Sequence, residues 1–280
     1  MTEWEGERST DSVVSADGTR IAYVTEGMGP GVIVVPGVLS LAEGYSRFAD
    51  ALASAFTVHT IERRGRGDSG PQRPDHGVED DCADVRALMD KTGAAFLVGH
   101  SYGGFVALEA ARNNPGIRKV AVYEPGLSVK GSMPSKWMKP YEKYLAQDKP
   151  LEAFIEFIRE IGPDSTRKIP RWMFRRMTPI FMNAPEKDMV IAQLLQNLTE
   201  HRQYVRFDST YHHYAEITAE VLLLDGDRER RAWTASDQEL LASVIPHSER
   251  ATIPGLDHFG IDKGDPDRVA GMVGEFFSRS

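Results

Sequence analysis

Val98-Gly99-His100-Ser101-Tyr102-Gly103-Gly104 is the stretch from which the rest of the chain can be read. A short apolar run, Ala94 to Val98, enters it, and Phe105-Val106-Ala107-Leu108-Glu109-Ala110-Ala111 leaves it. The first run has the length and bounding glycines of a buried strand; the second is alanine-rich, with Leu and Phe at helical spacing. A serine therefore sits on a tight strand-to-helix turn. Gly99 and Gly103 flank Ser101 two residues away on either side. Such a turn needs them, because the serine backbone is strained and the flanking chains pass too closely to admit Cβ atoms. The turn points the hydroxyl out of the sheet and turns the positive end of the next helix toward any oxyanion formed there. Read alone, the stretch also fits a glycine-rich turn whose serine merely caps a helix.

Outward from that turn, strands and helices alternate. Val13 to Ala16 and Arg20 to Val24 read as a hairpin about an Asp17-Gly18 turn, behind a polar start (1–11) expected to fray. Val32-Ile33-Val34-Val35 is the continuous apolar run of a central strand covered on both faces. Further strands are expected at Phe56 to Ile61, Arg118 to Tyr123, Val221 to Leu224 and Arg250 to Ile253. Between them the pattern predicts helices over 44–54, 78–91, 234–245 and 266–277, and one leaving the Ser101 turn to about Asn113. This rhythm predicts a mostly parallel, eight-stranded, doubly wound sheet with helices on both faces. From 127 to 216 the rhythm stops, and pieces such as Leu151, Phe154, Ile155, Ile158 and Ile161 suggest amphipathic helices. The chain is therefore divided into a core of 1–126 and 217–280 and a helical cap inserted at 127–216.

Composition narrows the class. A length of 280 residues supports one full α/β core, and a net charge of −8 argues against nucleic acid or an anionic membrane as partner. No apolar run approaches the roughly 18 residues of a membrane span, and the acidic start is unlike a signal peptide, so a cytoplasmic setting is expected. Cys82 is the single cysteine, with Asp80, Asp81 and Asp84 around it to disfavour a thiolate. No spacing suggests a metal site. A small-molecule substrate and no cofactor are expected, and the oligomeric state is left open.

A serine hydroxyl is a poor nucleophile until a base takes its proton. His258, in Gly255-Leu256-Asp257-His258-Phe259-Gly260 just past the last strand, is the best-placed base. His100 is read as pointing away beside Ser101, and His201, His212 and His213 fall in the inserted segment. The base needs an acid to fix its tautomer. Glu124 follows an apolar strand directly and is clamped by Pro125, which suits a fixed, buried carboxylate. Glu229 lies among Asp227, Arg228, Arg230 and Arg231, which suits an exposed loop. Glu124 is favoured and Glu229 stays open.

Together these motifs resemble the α/β-hydrolase superfamily over most of residues 13–279. The Gly-His-Ser-Tyr-Gly turn resembles its nucleophile elbow, and Glu62-Arg63-Arg64-Gly65-Arg66-Gly67-Asp68-Ser69-Gly70 resembles its Asp-x-Arg-Gly-x-Gly-x-Ser loop, with Glu62 for the usual aspartate. Most members place the triad acid at the position of Glu229; a minority, including some haloalkane dehalogenases, use that of Glu124. The resemblance implies an α/β-hydrolase fold and an oxyanion hole built from the backbone N–H groups of Tyr102 and Val38. Members usually carry His-Gly before that second amide, whereas this chain has Pro36-Gly37. The arginine loop reads as structural. Within the cap, Trp137, Trp172 and Phe181, with nearby methionines, are candidates to line an apolar pocket, and Arg171, Arg175 and Arg176 to meet a substrate carboxylate.

The expectation is a cofactor-free serine hydrolase cleaving an ester, lactone or related acyl bond of a small to medium, apolar substrate. Rival readings are a lyase, a carbon–carbon bond hydrolase or a cofactor-free oxygenase on the same fold, or a small-ligand receptor without catalysis.

Overall fold

The computed structural model describes residues 6–162, 164–181, 184–228 and 234–279. Eight strands form one sheet: β1 (Ser9–Val14), β2 (Arg20–Glu26), β3 (Gly31–Val35), β4 (Thr57–Ile61), β5 (Phe96–His100), β6 (Lys119–Tyr123), β7 (Glu220–Gly226) and β8 (Ser248–Ile253). Their order across the sheet is β1-β2-β4-β3-β5-β6-β7-β8. Only β2 runs against its neighbours, pairing antiparallel with β1 and with β4. The ladder from β4 to β8 is parallel throughout.

Residues 9–11, expected to fray, belong to β1, where Ser9 pairs with Thr25 and Asp11 with Tyr23. The ladder satisfies their backbone groups, a stabilisation that their polar side chains do not advertise. The Asp17-Gly18 turn forms as expected, with Gly18 at φ 87°.

Between the strands run α1 (Ser46–Ala53), α2 (Val78–Thr92), α3 (Tyr102–Ala111), α10 (Thr234–Val244) and α11 (Pro266–Ser278). The segment joining β6 to β7 contains α4 (Met138–Ala146), α5 (Pro150–Ile161), α6 (Asp164–Arg167), α7 (Arg171–Phe181), α8 (Ala184–Ala192) and α9 (Leu194–Arg206).

Alternation along the strands explains why the central runs are apolar without a break. Val32 and Val34 face a core formed with Phe48 and Leu52 of α1 and with Val273 and Phe277 of α11. Ile33 and Val35 face the opposite core, with Val85 and Leu88 of α2 and Phe105 of α3. Successive side chains of a strand point to opposite faces, and here both faces are covered. That second core continues into the insertion through Trp137, Tyr141, Phe157, Leu198 and Tyr204, so the inserted helices are packed onto the sheet's covering layer.

Candidate active site

β5 ends at His100, and α3 begins at Tyr102. The one residue between them, Ser101, has φ 53° and ψ −118°. Such a conformation costs a non-glycine residue on the order of 1–3 kcal/mol and persists only where the surroundings enforce it. Here the surroundings are backbone. Ser101 N donates to Tyr123 O at 3.1 Å, and Ser101 O accepts from Gly104 N at 3.0 Å and from Gly126 N at 2.9 Å. A Cβ on Gly103 would collide with Val35 O, and one on Gly99 with Gly103 O and Gly104 Cα. The two glycines thus let three chain segments converge beneath the serine.

His258 lies in the loop after β8, and its Nδ1 is 2.8 Å from Glu124 Oε2. A carboxylate accepts, so Nδ1 carries the proton in this bond. Glu124 stands one residue beyond β6 at φ 42° and is 8% exposed. Its other oxygen, Oε1, accepts from Gly226 N at 3.2 Å, which ties it to the end of β7. The proline that follows and the Gly126–Ser101 bond hold this unusual backbone in place. Glu229, the alternative acid, lies outside the described residues.

His100 does not point away from the reaction centre, as its sequence position suggested. Its ring centroid is 4.8 Å from that of His258. Nε2 of His100 lies 2.8 Å from the His258 carbonyl oxygen, which can only accept, so Nε2 carries a proton. Nδ1 of His100 lies 2.6 Å from Tyr45 Oη. Burial pushes the Tyr45 phenol well above its usual range, which keeps it a donor. The same oxygen accepts from Gly37 N at 2.9 Å. The His258 loop gains further support where Tyr123 Oη donates to Asp257 O at 2.7 Å and where Arg228 pairs with Asp257.

Pro36 and Gly37 follow β3 directly. A Cβ on Gly37 would stand 3.2 Å from Ser101 Cβ, so this loop passes directly beside the serine. Gly37 N is engaged by Tyr45 and Val38 is the next residue of this loop, while Tyr102 N, at the first turn of α3, is the amide next to Ser101.

The arginine loop after β4 is buried, with Arg63, Arg64 and Arg66 each at 1–2% exposure. Arg64 forms a two-pronged pair with Asp84 at 2.7 and 2.8 Å. Arg63 and Arg66 both pair with Glu200 of α9, at 2.8 and 2.7 Å. Asp81, in the first turn of α2, turns inward. There it meets His76 at 3.0 Å and accepts from Tyr102 Oη at 3.1 Å. Burial would raise the Asp81 pKa, but His76 and the arginines outweigh it and the carboxyl is held below its usual range.

Trp137, taken as a pocket candidate, is 1% exposed and sits in the insertion's own core, edge-on to Tyr141, Phe157 and His201. Its bulk finds more apolar contact there than at a cleft wall. Trp172 is 63% exposed on α7, and the Phe181 side chain lies outside the described residues. Arg171 and Arg175 are paired with Glu156 and Glu152 of α5. Cys82 is buried, and burial raises its thiol pKa well above the usual value. Among the described residues no helix is long and apolar enough to cross a membrane, and no cluster of three or more His, Cys, Asp or Glu is set to hold a metal.

Residues 32–272 match the family model described as the alpha/beta hydrolase family. An alpha/beta hydrolase from Sphaerobacter thermophilus superposes with a TM-score of 0.81 at 31% identity, covering 96% of this chain and all of its own. The N-formylmaleamate deformylase of Pseudomonas putida is 35% identical over 131 residues, 44% of this chain and 48% of that protein. This chain thus aligns with less than half the length of that relative. The enol-lactonase of Burkholderia xenovorans shares the fold, with a TM-score of 0.73 at 19% identity over 96% of this chain and 100% of its own.

Proposed function

This chain belongs to the α/β-hydrolase family; we propose that it is a cofactor-free serine hydrolase cleaving an ester, lactone or related acyl bond of a small to medium, apolar substrate. The observation that carries this reading is the 2.8 Å bond from His258 Nδ1 to the buried carboxylate of Glu124, in a chain whose Ser101 is held at φ 53° on the strand-to-helix turn. Ser101 is the nucleophile, His258 the base and Glu124 the acid that orients it.

In this reading Ser101 Oγ attacks the acyl carbon while His258 Nε2 takes the hydroxyl proton. Glu124 keeps the ring in the Nδ1–H tautomer and stabilises the imidazolium. The N–H groups of Tyr102 and Val38 stabilise the oxyanion, a contribution of about 3–4 kcal/mol per donor in comparable sites. The imidazolium returns its proton to the leaving group, and an acyl-enzyme remains. Water, deprotonated by His258, then releases the acid. The six helices between β6 and β7 act as a cap over this centre. The partial sequence similarity to a deformylase supports an acyl substrate.

A fluorophosphonate probe tests the reading directly. The expected result is a single covalent adduct on Ser101, absent in Ser101→Ala. An unlabelled wild-type protein that still binds apolar acids would instead favour the receptor reading. A panel of chromogenic esters and lactones of increasing acyl length then ranks substrates.

A further inference from the structure

We propose that Glu200, carried by α9 of the insertion, is a positioning residue for the oxyanion hole and acts through Arg63. The proposal rests on the hydrolase reading above, because it concerns the aim of the Val38 amide.

A single guanidinium touches every part involved. Arg63 Nε donates to Pro36 O at 2.9 Å, and Nη2 donates to Gly37 O at 2.7 Å. On its other edge, Nη1 and Nη2 donate to Glu200 Oε1 and Oε2 at 2.8 and 3.1 Å. Its Cζ lies 4.9 Å from the centroid of the Tyr102 ring, the residue whose amide forms the other half of the hole.

Peptide planarity makes these contacts directional. The carbonyl of Gly37 and the N–H of Val38 belong to one peptide group, and no cis peptide is present among the described residues. In a trans peptide the two point in opposite directions. Anchoring Gly37 O on Arg63 therefore aims Val38 N–H away from the guanidinium. The preceding peptide is fixed twice, by Arg63 at Pro36 O and by the Tyr45 hydroxyl at Gly37 N. With both planes held, the amide has little freedom to rotate.

Glu200 holds the anchor. Arg63 is 2% exposed and Glu200 fully buried, so neither has water to turn to. A planar fork paired with a carboxylate through two parallel bonds has a single orientation, which a lone point charge would not impose. Arg66, bonded to the same Oε1 of Glu200 and to Gln193 Oε1 at 2.8 Å, adds a second anchor to that carboxylate. Asp81, at 4.0 Å from Arg63, is itself engaged by His76 and Tyr102 and makes no comparable fork. The aim of the oxyanion amide is thus set by a residue of the inserted helices, 137 positions further along the chain than Arg63.

The test separates positioning from stability by comparing two ring-matched ligands. Phenylboronic acid forms a tetrahedral adduct with an activated serine and uses the oxyanion hole, whereas benzoate is planar and does not form one. In Glu200→Gln, kcat on p-nitrophenyl acetate is expected to fall about 100-fold with KM within about twofold. Phenylboronic acid affinity should fall by a similar factor and benzoate affinity should hold. Because an unbalanced buried guanidinium can prevent folding, Glu200→Gln/Arg66→Met, which removes one charge of each sign, is measured in parallel and should show the same split. Glu200→Asp should recover part of the loss. Equal loss for both ligands, or none for either, in a folded variant overturns the proposal. Failure of wild-type Ser101 to take a fluorophosphonate would instead overturn the hydrolase reading beneath it.

Discussion

Tyr45 Oη lies 2.6 Å from His100 Nδ1, and through this contact two loops distant in sequence share one support. The phenol accepts from Gly37 N on one side, while the imidazole donates to the His258 carbonyl on the other. The Pro36-Gly37 loop and the His258 loop are therefore tied together by a relay that includes the residue directly before Ser101.

Tyr45→Phe should expose the strength of that relay. It leaves Gly37 N and His100 Nδ1 without this buried partner, at a cost of about 2–5 kcal/mol for the two groups together. Denaturant unfolding should report that loss, and kcat should fall more than KM rises. Nitrogen-15 spectra of the wild type should show His100 protonated at Nε2 and bare at Nδ1. The opposite tautomer would remove the relay.

Glu124→Gln should lower kcat at least ~100-fold, because a misoriented base loses most of its benefit. The amide can still accept from Gly226 N, but its NH₂ group then faces His258 Nδ1 and favours the wrong tautomer. Glu229→Gln should cost much less. Steady-state kinetics on one ester rank the two, and the reverse order would transfer the acid's role to Glu229.

Gly103→Ala should destabilise by about 3 kcal/mol or more, since its methyl would meet the Val35 carbonyl, which belongs to a central strand and has no rotamer to escape into. Thermal melting measures this. A neutral outcome would mean that β3 and α3 lie further apart than the structure has them.

Stability should also depend on pH through Glu26. Burial, reinforced by the nearby Asp50, raises its carboxyl from 4.5 to about 7, against the pull of Arg8 at 3.0 Å. The folded state then holds a proton that the unfolded chain has lost, so stability falls as pH rises from about 4.5 to about 7. Asp262, raised by burial from 3.8 to about 6, acts in the same direction. Urea midpoints at pH 5, 6, 7 and 8 should decline, and Glu26→Gln should flatten the series.

What the sequence displays best is whatever is local. The glycines around Ser101 are spaced by the turn itself, and the strand runs are apolar because both sheet faces are covered. The contact between Glu124 and His258 was foreshadowed locally, because Pro125 and an apolar strand bracket Glu124 within a few residues. The supports of the site were not. Tyr45 and His100 are 55 positions apart, and Glu200 lies in an amphipathic helix with no motif around it. His100 was misread because neighbouring residues on a strand face opposite ways, whereas the loop after β8 folds across to meet it. Trp137 was misread because aromatic bulk does not tell the interior of an insertion from its cleft wall.

The carboxylate shared by Arg63 and Arg66 also limits how this molecule can be shortened. Cutting out 127–216 and rejoining the strands would leave two interior guanidinium groups without Glu200, and Asp81, 4.0 Å from Arg63, is already engaged elsewhere. It would also uncover Gly126, against which Tyr204 of α9 packs so closely that no side chain fits between them. The inserted helices are thus not a detachable accessory. A minimal sheet-only version would have to replace both arginines before it could fold, and graft-in caps from relatives would need an acid at the equivalent place on their own last helix.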